Sequence, residues 1–280
     1  MNDLPDFIIV GAMKCGTTTL AAQLAAQNGI FMTTPKEPNF FSDDDVFARG
    51  EEWYRGLFST ADPGDLKGEA STHYTKLPTY TQTLRRMSAL VGAPKIIYMI
   101  RNPVERAVSH YLHEWSQNVM SGDPVAAFET FPELVDYGRY GMQIAPFIDE
   151  YGADAILLTS LETLMAHPAE ELSRIGAFLG REAVWKPDLG AQNVSAERIH
   201  KLPLHGLLVD NPVATGLRRA FVPKWVRTRI RKARSVGKTR PELPVSLVSK
   251  IEATFLEDRA VLGRHFPAHP ALDACYPFAS

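Results

Sequence analysis

The sequence predicts an α/β protein of three layers, with helices on both faces of a central parallel sheet. Continuous runs of apolar and β-branched residues are the first observation, because strands buried on both faces of a parallel sheet have this pattern. Helical stretches alternate with these runs, which implies right-handed crossovers between parallel strands. A glycine-bounded loop joins the first run to the first helical stretch, so the chain opens as strand, loop and helix.

The first hundred residues contain the opening strand, loop and helix and a second strand–helix unit. Phe7-Ile8-Ile9-Val10 is a continuous run that favours a strand, and Leu20 and Leu24 lie one helical turn apart. A loop-rich stretch with Pro35 and Pro38 comes next. The predicted elements are a strand at 7–10, a helix at 17–24, a short helix at 53–58, a strand led by 67–70 and a helix at 80–90.

The clearest strand of the chain is Lys95–Ile100, and the alternation continues after it. Pro103 stands where the first turn of a helix accepts proline. The later predicted elements are helices at 104–115, 141–150, 168–179 and 244–262 and a strand at 155–159. We expect one domain over residues 1–280, with an α/β core over 1–185 and a less regular, basic part over 186–280 that ends in a helix.

The composition excludes several classes of protein. Of the 280 residues, 45% are hydrophobic and 22% are charged, as in an ordinary soluble globular protein, which excludes a disordered chain, collagen and a coiled coil. Apolar runs such as Phe7–Met13 and Ile96–Ile100 are too short for a bilayer, which requires about 20 residues. The net charge of −2 argues against a dedicated nucleic-acid binder.

The N-terminus and the cysteines both favour the cytoplasm. Asp3 and Asp6 stand where a signal peptide carries basic residues, and the apolar stretch after them ends at Lys14. Cys15 and Cys275 are the only cysteines, so the sequence offers neither a disulfide framework nor the ligand spacing of a zinc site. We therefore expect a reducing compartment and no metal.

The loop Gly11–Thr18 is the first candidate site. A loop between a buried strand and a helix turns backbone N–H groups and the helix N-terminus toward an anion. Lys14 adds a positive charge, and Thr17 and Thr18 add hydroxyl donors. The nucleotide-binding pattern G-x-x-x-x-G-K-[ST] requires lysine directly after the second glycine, where this chain has Thr17. The alternative is an ordinary strand–helix turn.

Arg101 and Ser109 are the second candidate. Arg101 follows the predicted strand 95–100, at the edge where open parallel sheets bind their ligands. Ser109 lies eight residues further on, in the predicted helix. A guanidinium with a hydroxyl is suited to hold a phosphate, although Arg101 in a surface ion pair is the alternative.

Taken in this order, the two elements resemble those of sulfotransferases that use 3′-phosphoadenosine 5′-phosphosulfate (PAPS). Lys14–Leu20 is similar to their 5′-phosphosulfate loop, and Ile100–Pro103 with Arg106–Ser109 is similar to their 3′-phosphate element. The resemblance is to bacterial sulfotransferases and to the sulfotransferase domains that modify heparan sulfate, which have a P-loop-like fold. It continues through further short motifs, at Gly68–Ser71, Gly138–Tyr140, Phe178–Gly180 and Leu262–Arg264.

The resemblance implies PAPS as the sulfuryl donor and no metal. Lys14 would neutralise the charge that develops on the bridging oxygen as the sulfuryl group leaves, a contribution of about 10²–10³ in rate. The residues implied in cofactor binding are Lys14, Cys15, Gly16, Thr17, Thr18, Thr19, Arg101 and Ser109. Cys15 lies beside Lys14 and a helix N-terminus, which favours a thiolate, but a small residue that fills the loop is the interpretation we prefer.

Glu37 and His113 are the implied catalytic residues beside Lys14. Glu37 matches the acidic residue before a paired Phe that serves as general base in the heparan-type enzymes, and the alternative is a solvated loop glutamate. Lys36 is then a surface charge or a sulfate contact. His113 lies one helical turn after Ser109 and matches an active-site histidine of the N-sulfotransferase branch; a solvated histidine is the alternative. His110 and His73 are weaker candidates.

One departure from the family pattern affects the mechanism. The heparan-type enzymes have Glu-Lys-Ser or Glu-Lys-Thr where this chain has Glu69-Ala70-Ser71. Their second active-site lysine is therefore missing here. Either Lys14 suffices, or another cation enters the site from elsewhere.

The basic part of the chain is the last candidate. Ala214–Arg240 carries ten Lys or Arg and no acidic residue. It is interpreted as a surface for an anionic acceptor, as contact with a membrane surface, which we do not favour, or as a solvated helical face. Within it, Lys238 and Arg240 resemble a Lys-Gly-Arg loop that closes over the cofactor's phosphate, without the central glycine. A solvated basic linker is the alternative.

The function expected from the sequence is transfer of a sulfuryl group to a hydroxyl or amine of a glycan or small-molecule acceptor. Two other functions compete with it. A P-loop kinase would bind ATP with Mg²⁺, but it needs the lysine that this loop lacks. A non-catalytic nucleotide-binding protein would have kept the fold without Glu37 acting as a base. The acceptor and the oligomeric state are left open.

Overall fold

The computed structural model describes residues 3–120, 122–189 and 243–279, and within these ranges five parallel strands form one sheet. The strand order is β2-β3-β1-β4-β5, and all four neighbouring pairs are parallel. The strands are β1 (Phe7–Gly11), β2 (Ile30–Met32), β3 (Leu66–Ala70), β4 (Lys95–Ile100) and β5 (Ile156–Ser160).

Helices connect the strands and cover the sheet. In the first two described ranges they are α1 (Thr17–Ala25), α2 (Asp44–Phe47), α3 (Glu51–Gly56), α4 (Thr83–Val91), α5 (Pro103–Ser116), α6 (Pro124–Thr130), α7 (Glu133–Asp136), α8 (Tyr140–Tyr151), α9 (Leu161–Ala166) and α10 (Pro168–Leu179). In the last range they are α11 (Val245–His265) and α12 (Pro270–Cys275). Short 3₁₀ turns lie at Thr72–Thr75, Ala153–Ala155 and Pro187–Leu189.

The predicted fold class is confirmed, and its cause is visible in β1 and β4. Every residue of β1 is buried, as are all residues of β4 except Lys95. The side chains of β1 are buried on both faces of the sheet, which explains the unbroken apolar run. A Cβ on Gly68 of β3 would lie 2.2 Å from the Phe7 ring, so this neighbouring position accepts only glycine.

All four predicted strands and every predicted helix are present, with ends that differ by a few residues. The sequence missed the short elements. β2 has only three residues, too few to show alternation or a continuous apolar run. The missed helices are α2, α6, α7, α9 and α12, each of seven residues or fewer.

The C-terminal helix α11 packs on α8 through a direct polar contact. The buried Asp258 carboxylate accepts hydrogen bonds from the backbone N–H groups of Gly141 (2.7 Å) and Met142 (2.8 Å). These N–H groups lie in the first turn of α8 and have no acceptor within that helix. The two backbones approach closely, because a Cβ on Gly141 would lie 2.7 Å from the Asp258 carbonyl oxygen.

Within residues 3–120, 122–189 and 243–279, none of the helices combines the length and the apolar character that crossing a bilayer requires.

We expect Gly141→Ala to destabilise the protein by about 1–3 kcal/mol, because the added methyl group must push α11 away from α8. Urea unfolding would measure the change. Gly263→Ala is the matched control within α11, where the new Cβ would meet only the Leu272 side chain at 3.7 Å. Helix propensity favours alanine there by about 1 kcal/mol. Equal destabilisation by the two variants would contradict the close packing at Gly141.

Candidate active site

Four loops meet at the carboxyl edge of the sheet, because β2, β3, β1 and β4 are successive neighbours and all parallel. The loop after β3 is fastened directly to β1. Ser71 N donates to the Ile9 carbonyl (3.0 Å), and Thr75 Oγ1 donates to the Val10 carbonyl (2.9 Å). The candidate residues near positions 14, 37 and 101 therefore belong to one edge of the fold.

The loop between β1 and α1 is tightly folded and ends at the helix N-terminus. Ala12 N donates to the Met99 carbonyl (2.7 Å), and Cys15 N donates to the Ala12 carbonyl (3.2 Å). Gly16 has a φ of 90° and immediately precedes α1; a Cβ there would lie 2.8 Å from the Leu161 side chain. The first N–H groups of a helix have no intrahelical acceptor, so this loop is suited to bind an anion.

The threonines of the loop differ in exposure. Thr17 and Thr19 are buried, whereas Thr18 and Lys14 are partly exposed. Thr18 and Lys14 are therefore the side chains that a ligand at this edge reaches directly.

Cys15 is completely buried at the centre of the loop and contacts Tyr140. Its sulfur lies 3.5 Å from the Tyr140 hydroxyl. Burial raises the pKa of the Cys15 thiol to about 11, and the hydrogen bond with Tyr140 opposes this only in part. The expectation that this environment favours a thiolate is therefore wrong, because desolvation outweighs the nearby positive charges. Cys15 fills the loop, as the preferred interpretation of the sequence has it.

Tyr140 joins the two predicted anion-binding elements. Its hydroxyl donates to the Arg101 carbonyl (2.9 Å) while contacting the Cys15 sulfur. Arg101 itself reaches back to the first element, since its Nη1 donates to the Lys14 carbonyl (3.4 Å). The loop and the arginine, predicted separately, are therefore in contact.

Most of the Arg101 side chain is buried, with 14% of its surface exposed. Nη2 lies 3.5 Å from a Glu105 carboxylate oxygen, so the ion pair weighed as an alternative exists, but it is long. Nε is buried and has no hydrogen-bond partner among the described residues. Two turns into α5, Ser109 is also buried, and its Oγ has no acceptor or donor within that same part of the chain.

Such buried polar atoms without a partner are costly, at about 1–3 kcal/mol each. A bound anionic group that reached these two atoms would supply the partners they lack. Asn102 fixes this helix start, because its side chain accepts hydrogen bonds from Val104 N (3.0 Å) and Glu105 N (3.1 Å). The structure therefore fits the predicted pairing of Arg101 with Ser109 in anion binding.

Glu37 lies against the end of β3. Its backbone N donates to the Ala70 carbonyl (2.9 Å), and it adopts a positive φ of 61°. One carboxylate oxygen accepts from Lys36 Nζ (2.5 Å) and the other from Thr72 Oγ1 (3.2 Å). Lys36, predicted to be a surface charge or a sulfate contact, thus pairs with Glu37.

The electrostatic environment keeps Glu37 ionised. Burial alone would raise the pKa of its carboxyl group, but the Lys36 charge and hydrogen bond, together with His73 and Thr72, outweigh burial and lower it. The carboxylate is therefore available as a proton acceptor at neutral pH.

Sequence reasoning missed the role of Glu69, although the motif that contains it was noted. Glu69 is completely buried at the end of β3, and its carboxylate accepts hydrogen bonds from three hydroxyls. These are Tyr54, Ser71 (2.6 Å) and Tyr74 (2.6 Å). Burial raises the pKa of Glu69, and the three donors oppose that rise.

This buried carboxylate holds the segment that carries Glu37. Ser71 Oγ donates to Glu69 and accepts from Asn39 N (3.1 Å). The Phe40 ring stacks on Tyr54 at 4.6 Å between centroids. Asn39 and Phe40, which follow Glu37 closely in the chain, are thereby connected to Glu69 and so to β3. The paired Phe, residues 40 and 41, is the sequence feature that could have indicated this packing, because Phe40 contacts a residue that hydrogen-bonds Glu69.

The histidines differ sharply in their surroundings. His113 is 36% exposed, and its Nε2 lies 3.9 Å from Glu114. His110 is buried, stacks on Tyr137 at 5.6 Å and has its pKa lowered to about 2 by burial and by the charges of Arg106 and other cations. The role proposed for His113 stays a prediction.

His73 stacks on Tyr80 at 5.0 Å, and burial and the Lys76 charge lower its pKa to about 4. His110 and His73 are therefore neutral at pH 7.

Lys238, Arg240 and the basic stretch 214–240 lie outside the described residues, so their predicted roles stay predictions.

Comparison with known proteins identifies relatives of this chain. The family described as Sulfotransferase domain matches residues 4–258. Mouse heparan sulfate glucosamine 3-O-sulfotransferase 3B1 is 29% identical over an alignment of 199 positions that covers 65% of this chain and 48% of that protein. Human bifunctional heparan sulfate N-deacetylase/N-sulfotransferase 2 is 28% identical over an alignment of 204 positions that covers 63% of this chain and 22% of that protein. The chain thus spans about half or less of the length of these relatives.

Solved structures agree on the fold. A sulfotransferase from Alicyclobacillus acidocaldarius has a TM-score of 0.64 at 22% identity, covering 93% of this chain and 94% of that one. Mouse sulfotransferase SULT7A1, solved in complex with PAP, has a TM-score of 0.50 at 18% identity, covering 100% and 90%. The three-layer arrangement is therefore shared with both.

We expect Cys15 to resist alkylation in the native protein at pH 8, because its thiol is buried and has a raised pKa. Iodoacetamide labelling followed by peptide mass spectrometry would measure this, with the urea-unfolded chain as the positive control. Rapid labelling of Cys15 in the folded protein would contradict its burial and restore the thiolate expectation.

Proposed function

This chain belongs to the family of sulfotransferase domains, and we propose that it transfers the sulfuryl group of PAPS to a hydroxyl or amine of an acceptor. One observation carries the proposal. Two separate elements that the sequence predicts to bind anions, the loop with Lys14 and the start of α5 with Arg101, are in contact at the carboxyl edge of the sheet. A donor with a phosphosulfate at one end and a 3′-phosphate at the other needs two such elements at a fixed separation.

The residues present fit this donor. Lys14, Thr18 and the N-terminus of α1 would hold the 5′-phosphosulfate. Arg101 and Ser109 would hold the 3′-phosphate, which would supply partners for the buried Nε and Oγ atoms. PAPS supplies the sulfuryl group that is transferred. That a mouse protein of this fold was solved with PAP supports the same class of ligand.

Glu37 and Lys14 divide the chemistry between them. The ionised Glu37 carboxylate takes the proton of the acceptor hydroxyl or amine as the acceptor attacks sulfur in line. For this step Lys36 or Thr72 must release its hydrogen bond to a Glu37 carboxylate oxygen, so that this oxygen can accept the proton. Lys14 stabilises the negative charge on the leaving oxygen.

The acceptor is a glycan or a small molecule. The first relatives carry heparan sulfate in their names, which favours a glycan. Activity in the cytoplasm, as the sequence predicts, is part of the same proposal. An ATP-dependent kinase is the second candidate, and the missing lysine after Gly16 disfavours it.

We expect calorimetry to show metal-independent binding of 3′,5′-adenosine bisphosphate, and Arg101→Ala to raise the Kd by roughly 10- to 100-fold, because hydrogen bonds to charged groups contribute about 1.5–3 kcal/mol. Arg181→Ala is the matched control, since Arg181 donates to the Gly64 carbonyl ahead of β3, at the opposite edge of the sheet. Preference for ATP with Mg²⁺ would favour the kinase and overturn the sulfotransferase proposal.

We expect Glu37→Gln to reduce turnover by about 10²–10⁴-fold, the usual contribution of a general base, while binding of the bisphosphate is retained. Transfer of ³⁵S from labelled PAPS to a panel of glycans and small acceptors would measure this. Glu170→Gln, at an exposed position on α10, is the control. If Glu37→Gln abolishes binding as well as turnover, Glu37 has a structural role instead.

A further inference from the structure

Lys76 is a lysine that the sequence analysis did not single out, and it is buried at 7% exposure. It follows the 3₁₀ turn 72–75 that leads away from β3. The next residue, Leu77, is clamped by the Gln143 side chain, which accepts from Leu77 N (2.7 Å) and donates to its carbonyl (2.8 Å). With Thr75 hydrogen-bonded to β1 on the other side, the backbone of Lys76 is held in place.

The Lys76 ammonium lies among the groups of the candidate site. Its Nζ is 5.6 Å from the centre of the Tyr137 ring, and the same ring stacks on His110. The charges that face Lys76 are Glu37 from the loop before α2 and Glu114 and Arg106 from α5. His73 and His110, which are neutral at pH 7, face it as well.

Two contacts connect Lys76 with the site. Thr72, in the turn that leads to Lys76, donates from Oγ1 to a Glu37 oxygen (3.2 Å). The Tyr137 ring beside Lys76 Nζ stacks on His110, the residue after Ser109.

Lys36 differs from Lys76 because Lys36 donates a hydrogen bond directly to a Glu37 oxygen. That oxygen is then not open to the proton of the acceptor. Lys76 acts on the Glu37 carboxylate without a hydrogen bond to it within the described part of the chain.

Lys76 is charged at neutral pH, but it loses its proton at a lower pH than an ordinary lysine does. Burial lowers its pKa to about 8, the carboxylates of Glu37 and Glu114 oppose that shift, and Arg106 adds to it. Below pH 8 the buried ammonium therefore destabilises the folded state, and this cost disappears as the pH rises from 8 toward the ordinary value of 10.5. A buried charge with a net cost to stability points to a role other than folding.

We propose that Lys76 is a positioning residue that supplies the second positive charge of this site, in place of the lysine missing at Ala70. The inference rests on the proposed function. An ionised Glu37 repels the anionic donor that must bind beside it. Lys76 offsets the Glu37 charge, so that the donor and an ionised base occupy the site together.

A double-mutant cycle on bisphosphate binding tests this without an acceptor. We expect Lys76→Met to raise the Kd for 3′,5′-adenosine bisphosphate about tenfold at pH 7, the factor that corresponds to one pKa unit. Glu37→Gln should bind as the wild type does or more tightly. The double variant should regain most of the lost affinity, because the repulsion that Lys76 offsets is then gone. Lys95→Met, at the opposite edge of the sheet, is the control.

The pH dependence provides a second readout. In the wild type the Kd should rise by up to about tenfold as the pH increases from 7 to 10 and Lys76 loses its proton. Lys76→Arg should remove this rise, because a guanidinium stays charged throughout. At pH 7, Lys76→Met should have a melting temperature no lower than that of the wild type, which distinguishes lost charge balance from lost packing.

Each outcome discriminates between the two proposals. If the wild type does not bind the bisphosphate, the proposed function fails. If the wild type binds it and Glu37→Gln does not rescue Lys76→Met, or if Lys76→Arg keeps the rise of Kd with pH, the inference about Lys76 is overturned while the proposed function stands. If Lys76→Met does not fold, the pH dependence of the Kd in Lys76→Arg and Glu37→Gln tests the inference instead.

Discussion

The buried Glu69 carboxylate is the interaction on which the geometry of the site depends. A carboxylate removed from water needs hydrogen bonds to each oxygen, and Tyr54, Ser71 and Tyr74 provide them. These donors come from α3 and from the turn after β3, so satisfying Glu69 fixes both segments against the end of the strand. The segment that carries Glu37 is held between them. Removing any one donor leaves a buried polar group without a full set of hydrogen bonds, so this anchor requires more exact geometry than an apolar contact does.

The second constraint is the separation of the two anion-binding elements. Tyr140 on α8 contacts Cys15 in the first loop and the Arg101 carbonyl in the second. Asp258 on α11 in turn accepts hydrogen bonds at the start of α8. The C-terminal helix therefore supports the site through α8, although it lies far along the chain from both loops. Under the proposed function, a donor with two anionic ends depends on this spacing as much as on the charges themselves.

The sequence predicted the parts of the fold whose pattern is local and repeated. β1 and β4 could be found because burial on both faces leaves an unbroken apolar run, and Lys14, Arg101 and Ser109 because motifs of fixed spacing carry them. β2 and the short helices could not, because three to seven residues show no periodicity. The burial of Lys76 and the Glu69 anchor were missed for another reason: both arise from contacts between segments distant in sequence. The expectation of a thiolate at Cys15 was wrong for the same reason. The sequence shows the charges near Cys15, but it does not show the burial that raises the pKa of its thiol.

These observations describe how the site keeps its charge in balance. His73 and His110 are buried and neutral at pH 7, so the positive charge comes from lysines and arginines whose positions are individually fixed. Lys14 and Arg101 come from loops that follow neighbouring strands, at the edge where parallel sheets usually bind their ligands. Glu37 is the exception, a carboxylate kept ionised beside an anion-binding edge. Under the proposed function, such a group is unfavourable for binding of the anionic donor and necessary for taking the acceptor proton. In the arrangement we propose, the buried Lys76 offsets the charge of Glu37 and reconciles the two demands.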